Sequence, residues 1–311
     1  VTSTQAPELA ATQVSRRGDQ VFAALAKAAG ILILVALAGV AVFLTLEGAP
    51  AITAPEASMG GKGNIALYVW PLLYGTLLAA VLAMLIATPL AFGVALVISH
   101  YAPRRLSKPV GYLIDLLAAV PSVVYGLWGI AFLGPRIVPV YQWLEDNLGF
   151  LPFFEGPATS GRTILTASIV LAVMALPIIT AITREIFAQT PRLHEEAALA
   201  LGATRWEMIR MTVFPYSRSG MISATMLGLG RALGETMAVA MVLSATGIIT
   251  VNLISTTNPS TIAANIALQF GEASGTKVNV LIFSGLVLFV ITFAVNFLAR
   301  AIVARSNIEE R

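Results

Sequence analysis

The sequence predicts an all-α integral membrane protein that crosses the bilayer six times with both termini in the cytoplasm, on three observations. Hydrophobic residues make up 57% of the chain and charged residues only 11%, with a mean hydropathy of +0.84. Soluble domains carry about 25% charged residues. Six apolar stretches approach or exceed the roughly 20 residues a spanning helix needs, and they cover 28–46, 70–99, 109–133, 163–183, 219–250 and 278–299. Lysine and arginine crowd alternate ends of these stretches, fourteen on one side and four on the other, with Arg231 completing the 19. The positive-inside rule then sets the orientation: N-in, C-in, with 186–218 cytoplasmic.

The elements follow in order. Residues 1–27 read as a cytoplasmic tail whose Thr-, Ser-, Ala- and Gln-rich start (1–19) is expected to be disordered. Residues 28–69 hold the first span, too long for a signal-peptide core, and an external loop. The apolar body runs over 70–303, and 304–311 form a cytoplasmic end. Segments 47–63, 134–161 and 251–277 are rich in Gly, Pro and polar residues and read as external loops. Pro89, Pro121 and Pro177 fall inside spans, where each removes a backbone hydrogen bond and favours a kink.

Composition also excludes functions. There is no cysteine, so disulfides, thiolate metal sites and cysteine nucleophiles are out. His100 and His194 are too far apart to suggest a histidine metal cluster. The formal charge of +3 and pI near 9.3 do not point to nucleic acid, because the basic residues sit in short loops. No nucleophile with a base and no carboxylate pair suggests an enzyme.

The loop 186–218 carries helix signals. Thr190-Pro191 reads as an N-cap with proline in the first helical position, and Gly202 as the stop of a helix over 192–201. Thr204 and Glu207 have capping-box spacing. Trp206, Ile209 and Val213 make one apolar stripe, which Pro215 is expected to close. Two short helices of this kind suit docking to a partner, or resting on lipid headgroups.

The pattern Glu196-Ala197-Ala198, then Gly202, then Pro215 resembles the EAA loop of ABC-importer permeases. The family has Ile and Leu before the proline where this chain has Thr212 and Phe214. The resemblance implies that the loop enters a cleft of a cytoplasmic ATPase. No GxxxxGK[ST] occurs, and Gly60-Gly61-Lys62-Gly63 has the wrong spacing, so if ATP drives this protein another chain must bind it.

Arg231 and Glu235 lie in the apolar stretch 219–250, where an ion costs on the order of 2.5–3.5 kcal/mol. At 1.5 Å per residue Arg231 is about 18 Å from Ser219, near the middle of a core about 30 Å thick. The i, i+4 spacing allows the two to pair, as a structural bridge or as part of a polar path. Arginine also suits an oxyanion, because its fork donates two parallel hydrogen bonds. Small residues Gly228, Gly230, Ala232 and Gly234 flank the charges and permit close backbone approach.

The run Gly230-Arg231-Ala232-Leu233-Gly234-Glu235-Thr236-Met237-Ala238-Val239 is similar to a signature of the PstC family, permease subunits of bacterial phosphate-specific transporters. Residues 120–129, Leu176-Pro177-Ile178-Ile179 with Arg184-Glu185, and residues 196–206 match in the family's order. One departure is Ser244-Ala245, where the family has Gly-Asn. The resemblance implies a type I ABC-importer permease of MetI-like fold, multi-pass in the bacterial cytoplasmic (inner) membrane. It implies translocation residues Arg231, Glu235 and Thr236, and ATPase-coupling residues Glu196, Ala197, Ala198, Gly202 and Pro215. It further implies a second PstA-like permease, two PstB-like ATPases that hold ATP and Mg, and a PstS-like external phosphate-binding protein; no cofactor is expected on this chain. Two alternatives stay open: a permease for sulfate or molybdate, or an ATP-independent secondary transporter or channel.

Overall fold

A computed structural model describes residues 17–306, and it is helical apart from its loops. Five of the described helices are long and apolar enough to cross a membrane: Gly18–Thr53, Ile65–Tyr101, Ser122–Leu148, Ile164–Ala188 and Thr276–Ala301. The first is built on α1 (Arg17–Gly48), whose large side chains are mostly exposed, as expected of a span that faces lipid. It starts inside the predicted tail, so Arg17 to Lys27 are helical. Residues 1–16, most of the stretch expected to be disordered, lie outside the described residues.

The centre of the fold is the pair α2 (Ile65–Leu96) and α6 (Ile164–Ala188). Asn64 starts α2 by accepting a hydrogen bond from the Leu67 N–H at 2.9 Å, and Thr163 starts α6 in the same way. Alanine recurs at every fourth residue of α2, as Ala79, Ala83, Ala87, Ala91 and Ala95, and all five are buried. A ridge without side chains beyond Cβ lets α6 approach closely. Val170, Leu171, Met174 and Ile179 of α6 belong to the same core. The Thr180 hydroxyl reaches across to the Ala91 carbonyl at 3.4 Å.

Two of the six predicted spans are corrected. The stretch 109–133 is not one helix: α3 (Arg104–Ala118) ends before Pro121, and a new helical run starts at Ser122. Proline removes a donor and disfavours helix at Val120, which explains the break. The helix α3 is amphipathic, with Leu106, Tyr112, Leu113 and Leu116 exposed and Asp115 3.5 Å from the Arg184 guanidinium. The crossing is instead α4 (Ser122–Trp128), a π-turn over Gly129–Leu133, and α5 (Gly134–Leu148). The predicted loop 134–161 is therefore helical over its first half. Tyr141, 1% exposed, fixes α5 to α6 through a 2.7 Å hydrogen bond with Thr166.

The stretch 219–250 is the other correction. Here α9 (Phe214–Gly234) stops, Glu235 and Thr236 interrupt it, and α10 (Met237–Val242) runs on for six residues. Extended chain follows to α11 (Ile262–Gln269), a helix inside the predicted loop 251–277, and α12 (Thr276–Ser306) ends the fold. Before α9 lie α7 (Arg192–Ala200) and α8 (Arg205–Met208).

Candidate functional site

The interruption at Glu235 builds the candidate translocation site. The helix α9 ends at Gly234, and the Glu235 carboxylate turns forward to accept the Ala238 N–H at 3.2 Å. It thereby satisfies a free donor at the start of α10. Glu235 is 9% exposed. The Thr236 hydroxyl donates to the Gly234 carbonyl at 3.1 Å, on the other side of the break.

The Arg231–Glu235 pair allowed by their spacing does not form: no carboxylate of the described residues lies within 4.0 Å of the Arg231 guanidinium. The i, i+4 geometry requires a continuous helix, and this helix stops before Glu235. The Arg231 Nε is buried and has no hydrogen-bond partner. A half-buried guanidinium with a free donor and no counter-ion is an anion-attracting group.

Depth follows from α2. Ala80 of α2 packs on Ala232 and Leu233, next to Arg231. Ala80 is twelve residues after Tyr68 and twenty before His100. At 1.5 Å per residue that is about 18 Å and about 30 Å along the helix. Arg231 is thus inside the span, nearer the end opposite the α7–α8 loop.

The segments that carry the family resemblance meet around this point. A Cβ on Gly126 would lie 3.0 Å from both the Ala238 Cα and the Met241 sulfur, so α4 packs backbone to backbone on α10. The Tyr125 hydroxyl donates to the Leu117 carbonyl at 2.9 Å. Ile179, from the Leu176–Ile179 segment, fills the notch at Gly228. Gly230 and Gly234 instead face open space, as do the exposed Leu227 and Met237. Those residues leave the Arg231 end of α9 uncovered in the isolated chain.

Sequence reasoning missed Asn258. Its amide accepts the Ile164 N–H at 3.1 Å and donates to the carbonyls of Arg162, Ser244 and Ser255. It ties the end of α10, including the divergent Ser244-Ala245, to the start of α6. The Asn258-Pro259 dipeptide is a turn signal that pointed to it.

At the other end, α7 and α8 pack on the ends of α2 and α6. Ala198 is buried with Met208, Ile209 and Val213 against Ala95, Leu96 and Phe187. Glu196, Ala197, Gly202 and Pro215 are exposed. Leu193, Leu199 and Leu201 are exposed in the same segment, apolar surface left uncovered by the described residues. His100, at the end of α2, lies 3.5 Å from Glu195 of α7.

Three details of the loop differ from expectation. Pro191, not Thr190, holds the N-cap position of α7, and the buried Thr190 hydroxyl has no partner. Trp206 is 53% exposed, so only Ile209 and Val213 of the predicted stripe are buried. Pro215 does not close the helix. A π-turn over Ile209–Val213, in which the Phe214 N–H reaches the Ile209 carbonyl, carries the chain straight into α9. Gly202 stops α7 as expected, at φ +87°.

The capping box is present in full. The Thr204 N–H and hydroxyl donate to Glu207 at 2.8 and 2.7 Å, and the Glu207 N–H donates back to Thr204 at 3.3 Å. The backbone donor, then the hydroxyl, hold the Glu207 carboxyl below the usual glutamate range. A depressed folded pKa contributes stability that is present above the unfolded value and lost as pH falls through the folded one. The protection of the amides of 204–208, taken relative to their intrinsic exchange rates, is therefore expected to fall as pH drops below the ordinary glutamate range. Glu207→Gln, which keeps the capping geometry, should remove that dependence. A wild-type protection factor that does not change with pH would contradict the role given to the carboxylate.

Comparison with known proteins agrees with this architecture. Residues 87–307 match the family described as the binding-protein-dependent transport system inner membrane component. The phosphate transport system permease protein PstC 2 of Mycobacterium tuberculosis is 46% identical over 301 residues, which cover 93% of this chain and 92% of that one. PstC of Xylella fastidiosa strain 9a5c is 40% identical over 326 aligned residues, covering 100% and 99%. Among solved structures, the MetNI methionine ABC transporter in an inward-facing form superposes with a TM-score of 0.51 at 19% identity, over 76% of this chain and 94% of that one. A bacterial ABC transporter that imports the acidic polysaccharide alginate gives 0.55 at 16% identity, over 76% and 79%. At such identities the structures speak for the MetI-like fold alone. With that fold, and with relatives matched over nearly their whole length, this chain belongs to the binding-protein-dependent inner-membrane permeases, in the PstC family.

Proposed function

We propose that the chain is one permease half of an ATP-driven importer of inorganic phosphate, and that Arg231 coordinates the anion within the membrane. The observation that carries this is the half-buried guanidinium beside a helix break, its buried Nε without a hydrogen-bond partner, in a chain whose relatives are named phosphate permeases. An ionised residue at that depth is functional by default. A neutral or cationic cargo would not gain from it. Membership of a binding-protein-dependent family also disfavours the ATP-independent transporter or channel.

Glu235 and Thr236 shape the path. Because Glu235 does not clamp Arg231, its proposed role is to accept a hydrogen bond from protonated phosphate. Sulfate has no proton to offer at neutral pH. Excess sulfate is expected to leave labelled phosphate uptake nearly unchanged in the wild type and to inhibit Glu235→Gln vesicles several-fold. Equal sulfate inhibition of both would remove the carboxylate from the selectivity mechanism. Strong sulfate or molybdate competition in the wild type would favour the other-oxyanion reading.

The partners follow from the uncovered surfaces. A second, PstA-like permease would cover the α9 face around Gly230 and Gly234, where small residues four apart permit close helix contact. Two PstB-like ATPases, holding ATP and Mg, would serve the two permeases; one docks on the exposed face of α7 through Glu196, Ala197, Gly202 and the neighbouring leucines. Ala198 would pass its movement to α2 and α6 through the cluster beneath. A PstS-like binding protein would deliver phosphate to the opposite surface. Charge bias supports a cytoplasmic position for α7 and for both termini.

A further inference from the structure

A second cationic site lies at the far end of α2 from α7. A cavity of about 320 Å³ opens there, and both Lys62 and Lys277 line it. These are the only lysines of the chain outside the cytoplasmic set, which holds Lys27 and Lys108. No Asp or Glu lines the cavity, and neither lysine has a carboxylate within 4.0 Å among the described residues. Two half-buried ammonium groups without counter-ions leave a net positive, partly desolvated pocket.

The sequence builds this pocket deliberately. Lys62 belongs to Gly60-Gly61-Lys62-Gly63, the run that fails as a phosphate loop. All three glycines are left-handed, at φ +63°, +79° and +77°, so the chain folds tightly around the lysine and aims it inward. Its ammonium donates to the Gly247 carbonyl at 3.0 Å. Gly247 is itself left-handed at φ +71°, and a Cβ there would meet the ammonium at 2.8 Å. One of the three Lys62 donors is used and two remain. On the opposite wall the Gln269 amide donates to Asn265 at 2.5 Å, and Asn265 donates to the Tyr68 hydroxyl at 2.9 Å. Tyr68 and Asn265 are each 8% exposed, and the Tyr68 hydroxyl keeps its own proton to donate.

We propose that this cavity is an outer anion site, which holds a tetrahedral oxyanion between Lys62 and Lys277 about 18 Å before it reaches Arg231. The site stands on residues other than Arg231 and goes beyond the phosphate path proposed above. Its donors are lysines, which supply positive charge without a fixed fork and release an anion more readily than a bidentate arginine. A weaker cationic site ahead of a stronger one gives the anion a stepwise descent into the membrane.

The test is amine acetylation of the assembled transporter in lipid nanodiscs without binding protein, read lysine by lysine by peptide mass spectrometry. Inorganic phosphate is compared with chloride at equal ionic strength. At ten times its dissociation constant, phosphate is expected to slow acetylation of Lys62 and Lys277 by about tenfold. Lys27 and Lys108 should be unaffected. Sulfate should protect as well, since the lysines only donate. Lys277→Gln, which leaves the Lys62–Gly247 bond intact, should lose most of the phosphate protection at Lys62. Protection should persist in Arg231→Ala, which separates this site from the membrane path. Equal rates in phosphate and chloride overturn the proposal, as does protection that disappears with Arg231.

Discussion

Phosphate uptake by vesicles that carry Arg231→Ala is expected to fall by about a hundredfold. Hydrogen bonds to charged groups contribute about 1.5–3 kcal/mol each, and two parallel ones from a guanidinium sum to roughly 3 kcal/mol or more. Each 1.4 kcal/mol is about tenfold. The free Nε and the absence of a carboxylate partner among the described residues mean that they do not already spend this capacity. Arg231→Lys keeps the charge and loses the fork, so its expected loss is smaller, about tenfold. Neither variant removes a packing contact of the α2–α6 core, so both should assemble normally. Wild-type uptake in both would eliminate Arg231 from the path.

Gly202→Asp is expected to separate ATP hydrolysis from transport. The φ of +87° disfavours most side chains, yet Asp and Asn tolerate the left-handed region better than others. A Cβ at this position meets nothing within 4 Å. The loop can therefore keep its shape while a negative charge appears in the same exposed segment as Glu196, which is proposed to dock the ATPase. A misplaced like charge in an interface costs several kcal/mol. Transport should fall by about tenfold or more while hydrolysis continues. Gly202→Asn, equal in shape and neutral, should lose much less. Unchanged coupling in the Asp variant would count against docking through this loop.

Local chemistry was legible in the sequence. The capping box at Thr204 and Glu207 and the stop at Gly202 use residues within a few positions, and both occur as read. The membrane class was legible too, because hydropathy over some twenty residues decides it. Where those spans begin and end was less legible. An apolar average runs straight over Asp115 and Pro121, so 109–133 looked like one helix. Arg136, Glu145 and Asp146 made α5 look like loop. Pro215 read as a stop because a π-turn that absorbs it leaves no mark in the composition.

The candidate site shows the same division. Arg231, Glu235 and Thr236 stood out as polar residues in an apolar stretch. Their relation did not, since i, i+4 pairing presumes the helix that Gly234 ends. Gly234 before Glu235-Thr236 was a stop-and-restart signal, and Glu235 spends one oxygen on that restart. The roles of Asn258 and Lys62 were not legible for another reason. Each acts across long sequence separations, Asn258 on Arg162 and Ile164 and Lys62 on Gly247, and only the fold brings those partners together.

The central claim is that this permease carries phosphate inward at the expense of ATP. Accumulation of labelled phosphate in proteoliposomes that hold the chain with its partner permease, ATPases and binding protein tests it most directly. The expected result is saturable uptake that requires ATP and survives a large excess of sulfate. Uptake that proceeds equally without ATP, or sulfate carried in place of phosphate, would contradict it.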